Sequence, residues 1–183
     1  MQKTYTLHVA GLERKLPIVQ VQPHLAIASF VMLGDTALIE AVAEALYQAP
    51  LFPRQGIDML ICPEAKAIPL THALALRLGL DYAVIRKEEK SYMRNALVES
   101  VRSITTRHEQ VLVLDGSDRE RLRNKRVCIV DDVVSTGGSL ASAERLLEKV
   151  PCTIAGRAAA LLEEGGCTGE GLVYLEKLPV FSV

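Results

Sequence analysis

The chain has 183 residues, a length that predicts one domain. It is 49% hydrophobic and 23% charged, and its 21 Lys and Arg against 22 Asp and Glu leave a net charge of −1 and a pI near 6.4. This is the balance of an ordinary globular protein, and it excludes the basic excess of a general nucleic-acid or membrane-surface binder.

No apolar run approaches the roughly 18 residues of a membrane span. Residues Met1 to Thr6 lack a signal peptide's apolar core, so the expected location is cytoplasmic. Short apolar runs alternate with amphipathic stretches, which predicts an α/β fold with a mostly parallel central sheet flanked by helices. After a small N-terminal appendage, Asp35 is a good N-cap for a helix from Thr36 to about Tyr47, with Leu38, Ile39, Val42 and Leu46 on one face. Pro50, Pro53 and Gly56 punctuate a loop. Met59 to Cys62 is a buried-type strand, followed by a helix from near Pro69 to Leu78 that Gly79 stops, and Tyr82 to Ile85 is the next strand. Residues 88–108 show no clear period and predict a long loop with strand-like ends. Val111–Leu114 and Val127–Val130 predict two more strands joined by a charged turn, and Leu140 to Lys149 a helix. Thr153 to Leu162 and Val173 to Leu175 complete the expected sheet.

Cys62, Cys128, Cys152 and Cys167 lack Cys-x-x-Cys spacing and predict free thiols in a reducing compartment, the first two within buried strands. The four His at 8, 24, 72 and 108 form no i,i+4 pair, so no zinc site is expected.

Chemistry concentrates in Val127-Cys-Ile-Val-Asp131-Asp132-Val-Val-Ser135-Thr136-Gly137-Gly138-Ser139. A buried strand ends in two adjacent carboxylates, then a Gly-rich hydroxyl loop, then a helix start. Ligands of open α/β sheets bind beyond the carboxyl ends of the strands. The helix start offers free N–H groups and the positive dipole end to a phosphate. Ser135, Thr136 and Ser139 add hydroxyl donors, while Gly137 and Gly138 permit close approach. Carboxylates beside such a cradle suit a ligand whose phosphate neighbours sugar hydroxyls or a metal. The Gly-x-x-x-x-Gly-Lys and Gly-x-Gly-x-x-Gly signatures are absent.

This segment resembles the phosphoribosyl-pyrophosphate (PRPP) loop of type I phosphoribosyltransferases, and the resemblance runs from about Met59 to Leu162. It is nearest to the purine branch: adenine and xanthine phosphoribosyltransferases and the PRPP-sensing domain of the purine repressor. Glu64-Ala65-Lys66-Ala67-Ile-Pro-Leu is similar to that family's pyrophosphate loop, and Arg86-Lys87 to its basic strand end, which often acts across a dimer. Val101 to Thr106 looks like the flexible catalytic loop of the xanthine enzyme. The resemblance implies a single phosphoribosyltransferase domain over 1–183, with a hood over about 1–35 and a flexible loop over about 88–108. It implies transfer of ribose 5-phosphate from PRPP to a nucleobase, with Mg2+ held mainly by PRPP, release of pyrophosphate, and a homodimer. Ser135, Thr136, Gly137, Gly138 and Ser139 would hold the 5-phosphate, and Asp131 and Asp132 the ribose hydroxyls, with help to Mg2+ and to developing positive charge. Glu64, Ala65, Lys66, Ala67, Arg86 and Lys87 would meet pyrophosphate. From Arg86 to His108 six basic residues face three acidic ones, a +3 lid suited to a polyanion.

Several positions depart from the family. Ala67 stands where Gly is usual, and whether its Cβ is tolerated depends on φ. The family often has a cis non-proline peptide in this loop. For the base, Leu25 and Phe30 match hood positions of the xanthine enzyme, but Met32 replaces its Asn, and Glu164 falls where it has a Lys that reads a 6-oxo group. An ionised carboxylate only accepts hydrogen bonds, so Glu164 favours adenine or a related aminopurine. A non-catalytic PRPP-binding regulator is the alternative, favoured by these departures at the base positions and by Ala67 in place of Gly. Against it, no separate DNA-binding domain and no basic stripe are expected.

Overall fold

The computed structural model describes residues 3–101, 110–166 and 171–183. Its centre is a five-stranded sheet in the order β10-β9-β8-β4-β5, with every neighbouring pair parallel. The strands are β4 (Met59–Pro63), β5 (Tyr82–Ile85), β8 (Arg126–Val134), β9 (Thr153–Glu163) and β10 (Leu172–Leu178). Three helices, α1 (Thr36–Gln48), α2 (Ile68–Leu78) and α4 (Gly138–Glu148), connect or cover them.

Period-two alternation in the central strands builds two cores. Leu60, Cys62, Cys128, Val130, Ala158 and Ala160 face α1 and α2. Met59, Ile61, Val127, Ile129 and Ala159 face α4, where Leu140, Ala143, Leu146 and Leu147 meet them. Continuous apolar runs in β4 and β8 follow from this, because parallel strands covered on both faces have no solvent side. Cys62 and Cys128 are free and buried as expected, and burial pushes both thiols up to about 12. Cys167 lies outside the described residues.

Three expectations are corrected. The 88–108 segment, expected to be strand-like at its ends, instead has a strand within it: Leu97–Val101 forms β6, which pairs antiparallel with β7 (Gln110–Leu114), while 102–109 lie outside the described residues. The Val111–Leu114 run therefore leaves the central sheet for this hairpin, touching it through an isolated bridge between Arg86 and Val113. The charged turn between β7 and β8 contains helix α3 (Gly116–Leu122), capped by the Asp115 side chain on Ser117 N–H.

The hood is a four-stranded sheet, β1 (Thr4–Val9), β2 (Leu12–Gln22), β3 (Leu25–Ala28) and the C-terminal β11 (Val180–Ser182), so it draws on both ends of the chain. A short strand such as Val180–Ser182 carries too little period to be read from sequence. Arg14 of β2 fixes the hood to α1. Its Nε lies 2.6 Å and its Nη2 3.0 Å from the two oxygens of Asp35, which also accepts from the Leu38 N–H at 3.1 Å. The guanidinium and that N–H hold the Asp35 carboxyl below its ordinary range. Asp35→Ala removes the cap and the ion pair together and is expected to cost about 1 kcal/mol in urea unfolding, whereas Asp35→Asn, which can still cap, retains most of the stability.

Candidate active site

Strand order reverses between β4 and β8. From β4 the chain steps outward to β5, then returns to the other side of β4 and continues outward through β8, β9 and β10. The loops leaving β4 and β8 therefore diverge to opposite faces, which opens a crevice at their carboxyl ends. The register shows where it opens. Parallel pairing of β4 with β8 ends at Ile61 and Ile129, while β8 continues to Val134 against β9. Asp131 and Asp132 lie in this overhang, within the strand rather than past it.

The cleft contains about 730 Å³ of non-protein space, open to solvent. Glu64, Ala65, Lys66 and Ala67 line one wall, Asp131, Asp132 and Ser139 the other, with Lys87, Val111 and Leu112 beside them. Asp131 also lines a small adjoining pocket with Ser135, Thr136, Gly137 and Ser139.

Two helices begin at these walls, and neither has a side-chain cap. Gly137 precedes α4 at φ +79°, a left-handed conformation that favours glycine, and the exposed Thr136, Gly138 and Ser139 surround the helix start. Ala67 precedes α2 at φ −76°, an ordinary helical value, so its Cβ is accommodated and no glycine is needed. Its carbonyl accepts from both the Thr71 N–H at 2.9 Å and the Thr71 hydroxyl at 2.8 Å. The Glu64–Ala65 peptide is cis, as the resemblance implies.

The carboxylates differ in environment. Asp131 is 9% and Asp132 7% exposed. Asp131 Oδ1 accepts from the Asp132 N–H at 2.8 Å, whereas Asp132 Oδ2 is buried without a hydrogen-bond partner. Burial, then the neighbouring Asp132 charge, raises Asp131 from 3.8 to about 8. The cleft thus has a carboxyl that holds its proton near neutral pH beside a carboxylate oxygen free to accept one bond.

Arg86 does not line this cleft. Its Nε lies 2.6 Å from Glu64 Oε2, out of line for a hydrogen bond, and the side chain borders a groove with Tyr82, Met93 and Arg121. Glu64 Oε1 accepts from the Lys87 N–H at 2.6 Å. The base-site expectations are also revised. Met32 is 0% and Phe30 4% exposed, packed in the α1–α2 core, so neither presents a surface to a base. Leu25 is half-buried and pairs with Ser182 in the hood, while Glu164 is exposed at the end of β9.

Sequence reasoning missed Gly166. A Cβ there would lie 2.4 Å from the Ser135 carbonyl oxygen and 2.8 Å from that of Glu163, so the turn after β9 rests directly on the phosphate-loop candidate. The Gly165-Gly166 pair after a strand was the available signal.

The fold and cleft define an α/β protein with a polar crevice at a reversal of strand order, lined by carboxyl, hydroxyl and lysine side chains. The chain belongs to the phosphoribosyl transferase domain family, whose model matches residues 32–171. It is 32% identical over 145 residues to a hypoxanthine/guanine phosphoribosyltransferase from Methanothermus fervidus, covering 79% of this chain and 69% of that one. It is 30% identical over 155 residues to an orotate phosphoribosyltransferase from Thermococcus gammatolerans, covering 81% and 71%. Four other hypoxanthine/guanine-type relatives are spanned over only 49% to 60% of their own lengths. In fold it is similar to the adenine phosphoribosyltransferase of Thermoanaerobacter pseudethanolicus, with a TM-score of 0.68 at 21% identity over 97% of this chain and 95% of that one.

Asp131 binds its proton more tightly folded than unfolded. Its contribution to stability is therefore complete below about 3.8 and declines as pH rises toward about 8. Asp131→Asn removes this decline and is expected to melt higher than the parent at pH 8, with the gap narrowing toward pH 4 in thermal scans. Gly166→Ala is expected to displace the Ser135 loop and weaken ribose 5-phosphate binding several-fold by calorimetry, with a far-UV spectrum like the parent's.

Proposed function

We propose that the chain transfers ribose 5-phosphate from PRPP to a purine base, with pyrophosphate as the leaving group. The observation that carries this reading is the pair of uncapped helix N-termini on opposite walls of one cleft, with two buried carboxylates between them. Each terminus suits one phosphorylated end of the ligand. Ser135 to Ser139 and the start of α4 take the 5-phosphate. Lys66, Lys87 and the start of α2 take the pyrophosphate.

The ribose then lies along Asp131 and Asp132. Asp132 Oδ2, the unpartnered oxygen, accepts from a ribose hydroxyl. The Asp132 carboxylate favours the positive charge that develops on the sugar ring as its bond to pyrophosphate breaks. Mg2+ fits the site as well, since it commonly takes one or two carboxylates together with phosphate oxygens and water. Asp131 and Asp132 would hold it with the ligand, and when bound it neutralises pyrophosphate charge. The homodimer implied by the resemblance is part of this proposal.

For the acceptor we propose a 6-aminopurine such as adenine. Glu164 supports this: it is exposed, its N–H is fixed to the Leu178 carbonyl at 2.9 Å, and it lies two residues from the Gly166 contact with the phosphate loop. The regulator alternative rests on the altered base positions and on Ala67 in place of Gly, and the helical φ at Ala67 removes the second of these grounds.

The test is pyrophosphate release from PRPP and Mg2+ with adenine, hypoxanthine, guanine, xanthine, uracil and orotate. Turnover with adenine is expected. Preference for hypoxanthine or guanine would overturn the Glu164 assignment, and PRPP binding without turnover on any base would overturn the enzyme. Asp132→Asn is expected to weaken PRPP binding about tenfold or more, through loss of a charge-assisted acceptor; unchanged affinity would remove the ribose from this position.

A further inference from the structure

Glu64 is an odd residue to find in a pyrophosphate cradle. Glu64 lines the cleft on the wall that carries Lys66 and the start of α2, and a carboxylate repels the anion these groups attract. Its side chain is only 18% exposed, and both oxygens are engaged: Oε1 with the Lys87 N–H and Oε2 beside the Arg86 guanidinium, each at 2.6 Å. Arg86 is held on the far side of it, toward the groove with Tyr82 and Arg121. The backbone strengthens this placement, because Arg86 N–H and C=O are bonded to Val113 C=O and N–H, both at 2.8 Å, and Glu64 N–H to the Ile85 carbonyl at 2.9 Å. The two residues thus stand at the ends of adjacent strands whose main chains leave their side chains in contact.

Resting on the proposed function, we infer that Glu64 is a positioning residue that sets the affinity for the leaving group. Its carboxylate acts as a resident counter-anion, keeping Arg86 out of the cleft and holding pyrophosphate affinity low enough for release.

The charges support this. The cleft walls hold Glu64, Asp131 and Asp132 against Lys66 and Lys87, so carboxyl groups outnumber cations, and one further cation, Arg86, is neutralised just behind them. Pyrophosphate competes with Glu64 for that guanidinium. A leaving group that met an unopposed Arg86 would bind more tightly and leave more slowly, and product release limits many turnover rates. Gln in place of Glu64 can still accept from Lys87 N–H, so the anchor to the main chain survives while the charge is removed.

The test is titration of the full-length protein with pyrophosphate and Mg2+ by calorimetry, for the parent, Glu64→Gln, Arg86→Met and the double variant. Glu64→Gln is expected to bind pyrophosphate about three- to tenfold more tightly, and in steady state to lower kcat and the inhibition constant of pyrophosphate together. In the Arg86→Met background the same substitution is expected to change affinity less than twofold. A damaged fold does not tighten binding, so the gain separates this role from a structural one. No gain in Glu64→Gln, or a gain that persists in full without Arg86, would overturn the inference while leaving the cleft as the pyrophosphate site. Absence of pyrophosphate binding in the parent and all variants would overturn the reading of the cleft itself.

Discussion

The site depends on one pairing that stops early. β4 and β8 are neighbours in the sheet, yet their ladder ends at Ile61 and Ile129 while β8 runs five residues further, to Val134. Had they stayed paired, Asp131 and Asp132 would lie in the sheet interior, where an ionised carboxylate is prohibitively costly without a partner. They part because the chain crosses from one side of β4 to the other. The loop after β4 must join α2 on one face, and the loop after β8 must join α4 on the opposite face. A crevice at that point follows from topology before any side chain is considered.

Helix capping separates structure from function along the same chain. α1 and α3 begin with Asp35 and Asp115, whose side chains satisfy N–H groups of their own first turns. α2 and α4 begin with Ala67 and Gly137, which have no side chain able to do so. Unsatisfied N–H groups at a helix start ordinarily find a side chain or water. Here both starts border one cleft; at α2 Pro69 carries no N–H and the Ile68 N–H bonds to the Ala65 carbonyl at 3.3 Å, so α4 keeps more N–H groups for a phosphate.

Charge in the cleft is balanced rather than simply positive. Buried Asp131 keeps its proton to a higher pH than an exposed carboxyl would, Asp132 retains an open acceptor, and Glu64 neutralises Arg86 behind the wall. Under the proposed function, this arrangement recognises a sugar between two anionic groups without holding either end irreversibly. The turn at Gly166 joins this system by touching the Ser135 carbonyl, so the segment bearing Glu164 and the phosphate loop cannot move independently.

Much of this was legible in the linear chain. Buried parallel strands announce themselves as unbroken apolar runs, and Met59–Cys62, Tyr82–Ile85 and Val127–Val130 did so. Asp131 to Ser139 placed carboxylates, hydroxyls and glycines in an order that only a strand–loop–helix could use. Antiparallel and short strands were less legible. β6 is five residues long with Glu99 and Ser100 adjacent, which breaks any alternation, and β11 is three residues long, so neither carries a period above the background. By itself, then, the sequence determined the fold class, the strand–loop–helix segment through Ser139 and the position of the acidic pair, because these rest on local pattern. Only the tertiary structure decided that Phe30 and Met32 belong to the core, that Arg86 turns away behind Glu64, and that Gly166 meets Ser135. Each of these depends on which distant segments the folded chain brings within a few ångströms of each other, and nothing in local periodicity encodes that distance.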